Sequence, residues 1–548
     1  MINSVKSPCD EGVLHSKSGK SPSSANAGLW ILVATILGSS MAFIDGSVVN
    51  VALPVLQRDL NATSADVQWV VEAYSLFLSA LILVGGALGD HVGRRRIYAL
   101  GVLVFSLSSV WCGFSPNINQ LIIARAVQGI GGALLVPGSL AIISASFDEQ
   151  KRGQAIGTWS GFTSVTSVIG PVLGGWLIQV ASWRWVFFIN IPLAIIVLLI
   201  VFTHVPESRH EGETGGLDWW GALLTTVGLA GIVYGLTEAS ALGWGNPLVL
   251  ITMAVGILAL VAFFFLEERV KNPMVPLNLF RSSSFSGANL LTFLLYGALG
   301  GATYFLPFNL IQVQGYSTAA AGAALTPFAI IMFLLSRWTG GLVKRFGAKL
   351  PLIIGPAITA LGFVLFALPG IGGSYWTTYF PAILVMSIGM TITVAPLTTT
   401  VMNSVDQQQA GTASGINNAV SRTASLLAIA LLGIIVVGIF STSLESQLAA
   451  LSLPSGIHQA ILQQSGRLAG IEIPRGVSTG VQASIKQAVN ESFITAFRTV
   501  MLISAGLAIV SALISWIMIS GKTANRAAEN APVGSTPKVQ KTGLGAQN

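Results

Sequence analysis

Runs of about twenty apolar residues recur along the whole chain between short polar breaks. At 1.5 Å per residue each run is long enough to cross the roughly 30 Å core of a bilayer as a helix. Fourteen spans are expected, at 29–53, 67–88, 97–114, 121–143, 154–178, 184–203, 219–237, 248–266, 286–311, 319–342, 350–369, 377–400, 411–440 and 494–519. Six precede the polar break at 204–218, two follow it, and six follow Phe285. The expected organisation is a polar, disordered tail at 1–28, a six-helix bundle at 29–203, and a linker with two extra transmembrane helices at 204–284. A second six-helix bundle at 285–520, including a long loop at 441–493, and a polar tail at 521–548 complete an all-α polytopic membrane protein.

One connection between spans occurs twice. Residues 86–96 read GALGDHVGRRR, and residues 340–349 read GGLVKRFGAK; Gly86 and Gly93 align with Gly340 and Gly347 at an offset of 254 residues. Glycine reaches positive φ where the chain must reverse, and the cations beside it cannot enter lipid. Repetition of this device implies two related membrane halves, an arrangement that places a substrate site between them in many secondary transporters.

Composition narrows the class. Hydrophobic residues make up 53% of the chain and charged ones 9%, with mean hydropathy +0.74, against about 25% charge in soluble domains. The net charge of +7 does not signal a nucleic-acid partner, because the 28 Lys and Arg are scattered in short clusters between apolar runs. They are a topology signal. The connections on one side hold Arg94, Arg95, Arg96, Lys151, Arg152, Arg209, Arg269, Lys271, Arg281, Lys344, Arg345 and Lys349, while short connections on the other hold only Arg58 and Arg184. Both termini are therefore expected in the cytoplasm, with the chain in a plasma membrane or bacterial inner membrane. Segment 441–493 falls outside, with Arg467, Arg475 and Lys486; Leu444, Leu448 and Leu451 suggest short amphipathic helices there. Sequons at Asn61 and Asn490 are read as chance. Residues 1–27 lack the apolar core of a signal peptide, and the two cysteines, Cys9 and Cys112, imply neither a disulfide framework nor a metal site.

Within the spans a few polar residues stand out. Asp45, Glu72 and Arg125 are ionisable groups inside apolar runs, where a charge costs about 2.5–3.5 kcal/mol on insertion scales and usually faces a cavity or a partner. Counted along their helices, all three fall in one layer in the outer half of the bundle, as a proton-coupling group or as a structural ion pair. Span 5 carries Gly157, Gly161, Gly170, Pro171, Gly174 and Gly175. Glycines four apart share a helix face that a neighbouring backbone can approach closely, and the proline bends the helix, giving a surface on which two halves can rock. Asn417, Asn418 and Arg422 in span 13, Arg337 in span 10, Tyr296, Tyr304, Asn309 and Gln312 in span 9, and Gln128 in span 4 are candidates for an amphipathic cavity or for helix–helix hydrogen bonds.

Together these segments resemble the major facilitator superfamily, specifically its fourteen-span drug:proton antiporters. Residues 86–96, with Gly86, Asp90, Gly93 and Arg94, resemble its loop motif between spans 2 and 3. Residues 121–133 resemble the span-4 motif with its buried arginine, here Arg125, and Gly161 through Gly175 resembles the antiporter motif of exporters. Asp45–Pro54, Trp69–Tyr74 and Trp183–Pro192 are similar to signatures of the fourteen-span branch, and the resemblance covers about residues 29–520. Two departures stand. Lys344 replaces Asp90 in the second loop motif, and the apolar cores of spans 9–14 contain no acidic residue, which leaves Asp45 and Glu72 as proton-site candidates.

The resemblance implies a proton-coupled antiporter that exports amphipathic organic compounds, cationic or neutral drugs, by alternating access. Its partners would be the substrate, protons and the bilayer; its energy source is a proton gradient rather than a cofactor, and an accessory protein is left open. Alternatives are a dedicated metabolite exporter or an uptake symporter on the same fold, or a non-transporting membrane sensor or scaffold. No nucleophilic or metal-ligand set lies in the spans, so no enzyme is expected. In this scheme Glu72 attracts cationic substrates.

Overall fold

The computed structural model describes residues 25–147, 149–209, 218–270, 273–339, 342–405, 409–451, 453–474 and 477–520. Cys9, Gly340, Lys271 and Arg475, most of both expected tails, and the side-chain surroundings of Lys151, Arg152, Gly161, Arg337 and Lys344 lie outside the described residues.

Helices α1 (Ala25–Asp59), α2 (Ser64–Val92), α3 (Arg94–Phe114), α4 (Ile118–Ser146), α5 (Glu149–Val180) and α6 (Asn190–His204) form the first bundle. Helices α7 (Trp219–Leu242) and α8 (Pro247–Glu267) follow as a pair. The second bundle comprises α9 (Ser283–Phe308), α10a (Thr318–Ala324) with α10b (Thr326–Thr339), α11 (Lys349–Ala367), α12 (Phe380–Asn403), α13 (Ala410–Ala449) and α14 (Thr479–Met518). Thirteen described helices are long and apolar enough to cross a membrane. The remaining expected span falls on α5, whose 32 residues suffice by length. Among the described residues there is no strand.

Local chemistry sets the helix starts. Thr63 and Asp66 form a reciprocal capping box at α2, with Asp66 Oδ2 accepting the Thr63 N–H at 2.8 Å. Asn117, Asp218, Asn246 and Ser317 cap α4, α7, α8 and α10a through their side-chain oxygens, satisfying N–H groups that a helix cannot pair internally. The turns at Gly93 and Gly347 have φ of +126° and +74°, as the repeated glycine requires.

Three elements differ from the sequence reading. Span 10 breaks at Leu325, just before Pro327, into α10a and α10b. Span 9 ends in a π-helical turn over Asn309–Val313, a bulge that lets one turn widen. The expected loop at 441–493 is largely helical: α13 continues through Leu444 and Leu448 to Ala449, and α14 begins at Thr479. Each of these two helices has 40 residues, roughly 60 Å at 1.5 Å per residue, so both project well beyond a bilayer core.

Within the first bundle α4 packs on α2 and α3, and α1 on α5 and α6. Within the second, α11 packs on α12 and α14, and α9 on α13 and α14. Helices α7 and α8 pair with each other, and α7 leans on α2 and α13. Leu250, Ile251, Leu258, Phe264 and Phe265 of α8 are exposed, so this helix is apolar even where no protein covers it, as a lipid-facing helix must be.

The two bundles meet chiefly at the end that carries segment 450–478. There α5 meets α10a, and Gln312 Nε2 donates to Gln57 Oε1 at 2.8 Å between α9's last turn and α1. Gln57 in turn donates to the Arg467 carbonyl at 3.1 Å, and Arg467 donates to Asn61 at 2.5 Å. Asn61 has φ +53°, a left-handed conformation that asparagine tolerates.

Candidate functional site

Asp45 of α1 and Arg125 of α4 are 0% and 1% exposed and form an ion pair through Arg125 Nη1 and Asp45 Oδ2. Every remaining contact supports that pair. Gln128, one helical turn beyond Arg125, accepts from Arg125 Nη1 at 2.7 Å and donates to Asp45 Oδ1 at 2.8 Å. Arg125 Nε donates to the Val70 carbonyl at 3.0 Å. The guanidinium lies 4.3 Å from the Tyr74 ring centroid and 5.9 Å from that of Phe187. Behind Gln128, Ser109 and Asn190 extend the network, Asn190 Nδ2 donating to Ser109 Oγ at 2.9 Å. A charge pair in so dry a place persists only when its lone pairs and protons are met in this way. The Tyr74 hydroxyl is buried and has no partner.

One residue from Asp45, Gly46 is exposed midway along α1, and nothing stands within 4 Å of the place its side chain would take. Phe43 and Asn50 are half-buried on the same face. The space between the bundles therefore reaches the level of the ion pair. From the second bundle, half-buried Tyr296 and Arg422 and exposed Asn418 lie at helical levels facing it. Gly46 and Asn50 carry no sequence signal beyond being small or polar in an apolar run.

Glu72 departs from the expected layer. Its Oε1 accepts from Gln68 at 2.7 Å and its Oε2 from Thr237 of α7 at 2.8 Å. Trp69 donates to Glu238 of α7 at 2.9 Å beside it. The carboxyl is completely buried and turned toward the extra helix pair, so it is held apart from Asp45 and Arg125. The direction of the side chain is set by α7, which sequence periodicity cannot place.

The glycines of α5 divide into two sets. A methyl group on Gly170 would stand 2.1 Å from Ser47 Oγ and one on Gly174 1.9 Å from Val48 Cγ2, both on α1 of the same bundle. The approach between bundles is made instead by Gly175, where an added methyl would stand 2.2 Å from the Thr318 carbonyl, and by Gly322 of α10a, where one would stand 2.0 Å from the Pro171 carbonyl. Gly170 and Gly174 are thus packing glycines within a half. Gly157, in contrast, has open space around it.

At the repeated loop, Asp90 pairs with Arg94 at 2.8 Å one helical turn away. Glu207, which the sequence reading did not single out, accepts the Arg95 N–H at 3.0 Å and lies 3.6 Å from Arg96. A methyl group on Gly93 would stand 2.7 Å from that carboxylate, so Gly93 serves both the turn and this contact. A methyl group on Gly86 would make only an ordinary 3.6 Å contact with Pro137, whereas one on its neighbour Gly85 would stand 2.0 Å from the Ala133 carbonyl.

Among the cavity candidates, Gln128 belongs to the ion-pair network. Tyr304 is buried edge-on against Phe305 at 4.8 Å, and buried Asn309 accepts from Gln314 at 3.2 Å in the π turn; both support the closed end rather than line the open space. Asn417 donates to Asn289 at 3.1 Å and to Thr292 at 2.7 Å, which ties α13 to α9. Asn418, Arg422 and Tyr296 remain at the wall.

Two helical bundles that join at one end, with a buried ion pair inside the first, form the fold of a membrane transporter. The chain belongs to the Major Facilitator Superfamily, whose family model matches residues 35–429. It is 32% identical over 501 residues to the multidrug resistance protein Stp of Mycobacterium tuberculosis, covering 89% of this chain and 91% of that one. It is 29% identical to the tetracenomycin C resistance and export protein of Streptomyces glaucescens, covering 92% and 94% of the two chains. With the methylenomycin A resistance protein of Bacillus subtilis it shares 33% identity, over 76% of this chain and 89% of that one. Among solved structures, an inward-facing bacterial homologue of the human lysosomal transporter Spinster matches with a TM-score of 0.63 at 16% identity, covering 90% and 98% of the chains.

Proposed function

We propose that this protein exports amphipathic organic compounds, of the kind that act as drugs or antibiotics, in exchange for protons entering the cell. The observation that carries the reading is the Asp45–Arg125 pair, buried yet one residue from the open wall at Gly46. A carboxylate in that position exchanges a proton when Arg125, already held by the Val70 carbonyl and Gln128, moves away from it. Asp45 is the proton carrier, and Arg125 with Gln128 positions it and sets its charge. Resistance and export relatives matching nearly the whole chain support the direction of transport.

The short-loop cations place the ends near Gly93 and Gly347 in the cytoplasm. The closed end at segment 450–478 then faces outward, and the space between the bundles opens inward, ready to load substrate. Rocking the bundles would part Gly175 from Thr318 and Gln57 from Gln312 and open the other face. Two tests apply. Proton-driven uptake of a lipophilic drug panel into everted bacterial membrane vesicles should require the protein and collapse with a protonophore; proton-independent uptake would refute the coupling. Ser465→Cys should react with an impermeant thiol reagent in intact cells and Arg96→Cys only after permeabilisation; the reverse pattern would refute the orientation.

A further inference from the structure

Arg422 sits on α13, which begins at Ala410. At 1.5 Å per residue it lies roughly 18 Å along the helix, past the middle of a bilayer core. It is half-buried, yet among the described residues it has neither an ion-pair nor a hydrogen-bond partner. The available carboxylates are committed elsewhere, Asp45 to Arg125 and Gln128 and Glu72 to Gln68 and Thr237. In the second bundle the described acids of the long helices, Glu445 and Glu491, belong to the ends that project beyond the closed face.

The surroundings of Arg422 are equally unfinished. One turn before it on the same face, Asn418 is exposed, and its amide bonds only to the Ser414 carbonyl at 3.2 Å. The Tyr74 ring, in the first bundle, already lies 4.3 Å from the Arg125 guanidinium and gives Arg422 no hydrogen bond among the described residues. One turn after Arg422 the helix closes against the first bundle: Leu426 and Ala430 pack with Leu76 and Ala80 of α2 and Leu229 and Val233 of α7. Arg422 therefore stands just short of that closure, near Tyr296 of α9, whose carbonyl accepts from Ser425 at 3.1 Å. A lone guanidinium in a low-dielectric cleft is a strong attractor for an anion, and a planar fork of donors fits a carboxylate best.

We infer that Arg422, with the Asn418 amide, binds the carboxylate of an amphipathic organic acid, so that the preferred cargo is a carboxylate-bearing compound rather than a cation. This names the substrate class of the site and rests on the export reading above. The acid's apolar body lies along Phe43, Gly46 and Tyr296, and its charge completes the pairing that the protein leaves open. Exchange of one such anion outward for one proton inward moves two charges across the membrane, whereas a neutral compound moves one and a monovalent cation none.

The test uses the full-length chain in proteoliposomes under an imposed proton gradient, with three probes: nalidixic acid ionised at neutral pH, its neutral methyl ester, and the ethidium cation. The expected result is a KM for the acid at least about tenfold below that of the ester, the range set by a charge-assisted hydrogen bond. Arg422→Gln should remove this preference by lowering transport of the acid at least about tenfold more than that of the ester, and Arg422→Lys should restore part of it. Asn418→Asp, at an exposed position, gives Arg422 an intramolecular partner and should weaken the acid alone; it tests the proposal even if Arg422→Gln does not fold. Equal handling of acid and ester by the unaltered protein would overturn the inference while leaving the export reading in place. A parallel loss of all three probes in properly inserted Arg422→Gln and Asn418→Asp proteins would do the same. Absence of proton-driven movement of any probe by the unaltered protein would overturn both.

Discussion

Gln57 of α1 and Gln312 in the last turn of α9 hydrogen-bond to each other across the two halves. They lie 255 residues apart and meet at 2.8 Å. The bond joins the halves at the closed end, and segment 465–470 covers it from the second bundle through the Arg467 carbonyl. Both partners are neutral, so the bond breaks at modest cost when water enters, near 1 kcal/mol in the net. Such a latch suits an end that must open in every cycle.

Joining the latch positions should stop the cycle. Gln57→Cys with Gln312→Cys, bridged by a bis-methanethiosulfonate reagent, is expected to lose transport and to regain it on reduction. Undiminished transport by the bridged protein would show that this end does not open.

The ion pair predicts a separation of coupling from folding. Asp45→Asn removes the titrating carboxyl but keeps an oxygen facing Arg125, which retains its bonds to Val70 and Gln128. Proton-driven uptake into everted vesicles should vanish, while the protein remains in the membrane with reduced thermal stability. Loss of one partner of a buried pair costs about 3–5 kcal/mol when nothing replaces it, so a smaller penalty is expected here. Wild-type proton-driven rates in this variant would remove Asp45 from the proton path.

Glycines of α5 should fall into two classes of phenotype. Gly175→Leu and Gly322→Leu meet backbone of the opposite bundle and should disfavour only the state closed at this end. An overpacking cost of about 1–3 kcal/mol shifts that equilibrium roughly five- to a hundredfold. The reactivity of Thr318→Cys toward an aqueous thiol reagent should rise accordingly. Gly174→Leu meets Val48 within its own bundle and should lower thermal stability without that rise. Identical behaviour of the two sets would refute the division.

Glu72 should act as an anchor for the extra helix pair. Glu72→Gln and Thr237→Val are each expected to lower the melting temperature and to change transport of cationic and neutral compounds in equal proportion, because the carboxyl faces α7 rather than the open space. A selective loss of cation transport would return Glu72 to the substrate site.

The first bundle's turn depends on one carboxylate. Glu207→Ala should free the Arg95 N–H and loosen the Gly93 turn, and Gly93→Ala combines a φ of +126° with a 2.7 Å clash against Glu207. Thermal unfolding should show Gly93→Ala as the more destabilised, by about 1–3 kcal/mol for the backbone strain. Rescue of Gly93→Ala by removal of Glu207 would have to remain partial, since the strain persists.

Sequence alone determined what depends on local, repeated physics. A bilayer demands long apolar helices, and so the fold class, the paired basic turns at Gly93 and Gly347 and the ionisable groups at Asp45, Glu72 and Arg125 were all readable as patterns along one chain. Tertiary structure alone decided which way each polar side chain points and which bundle each glycine meets. Arg125 turns to Asp45 across 80 residues, Glu72 turns to Thr237 across 165, and Gly175 meets Thr318 while Gly174 meets Val48. Those choices are made by packing between helices far apart in sequence. A buried polar group must take whichever partner that packing supplies, and no periodicity within a single helix can name it.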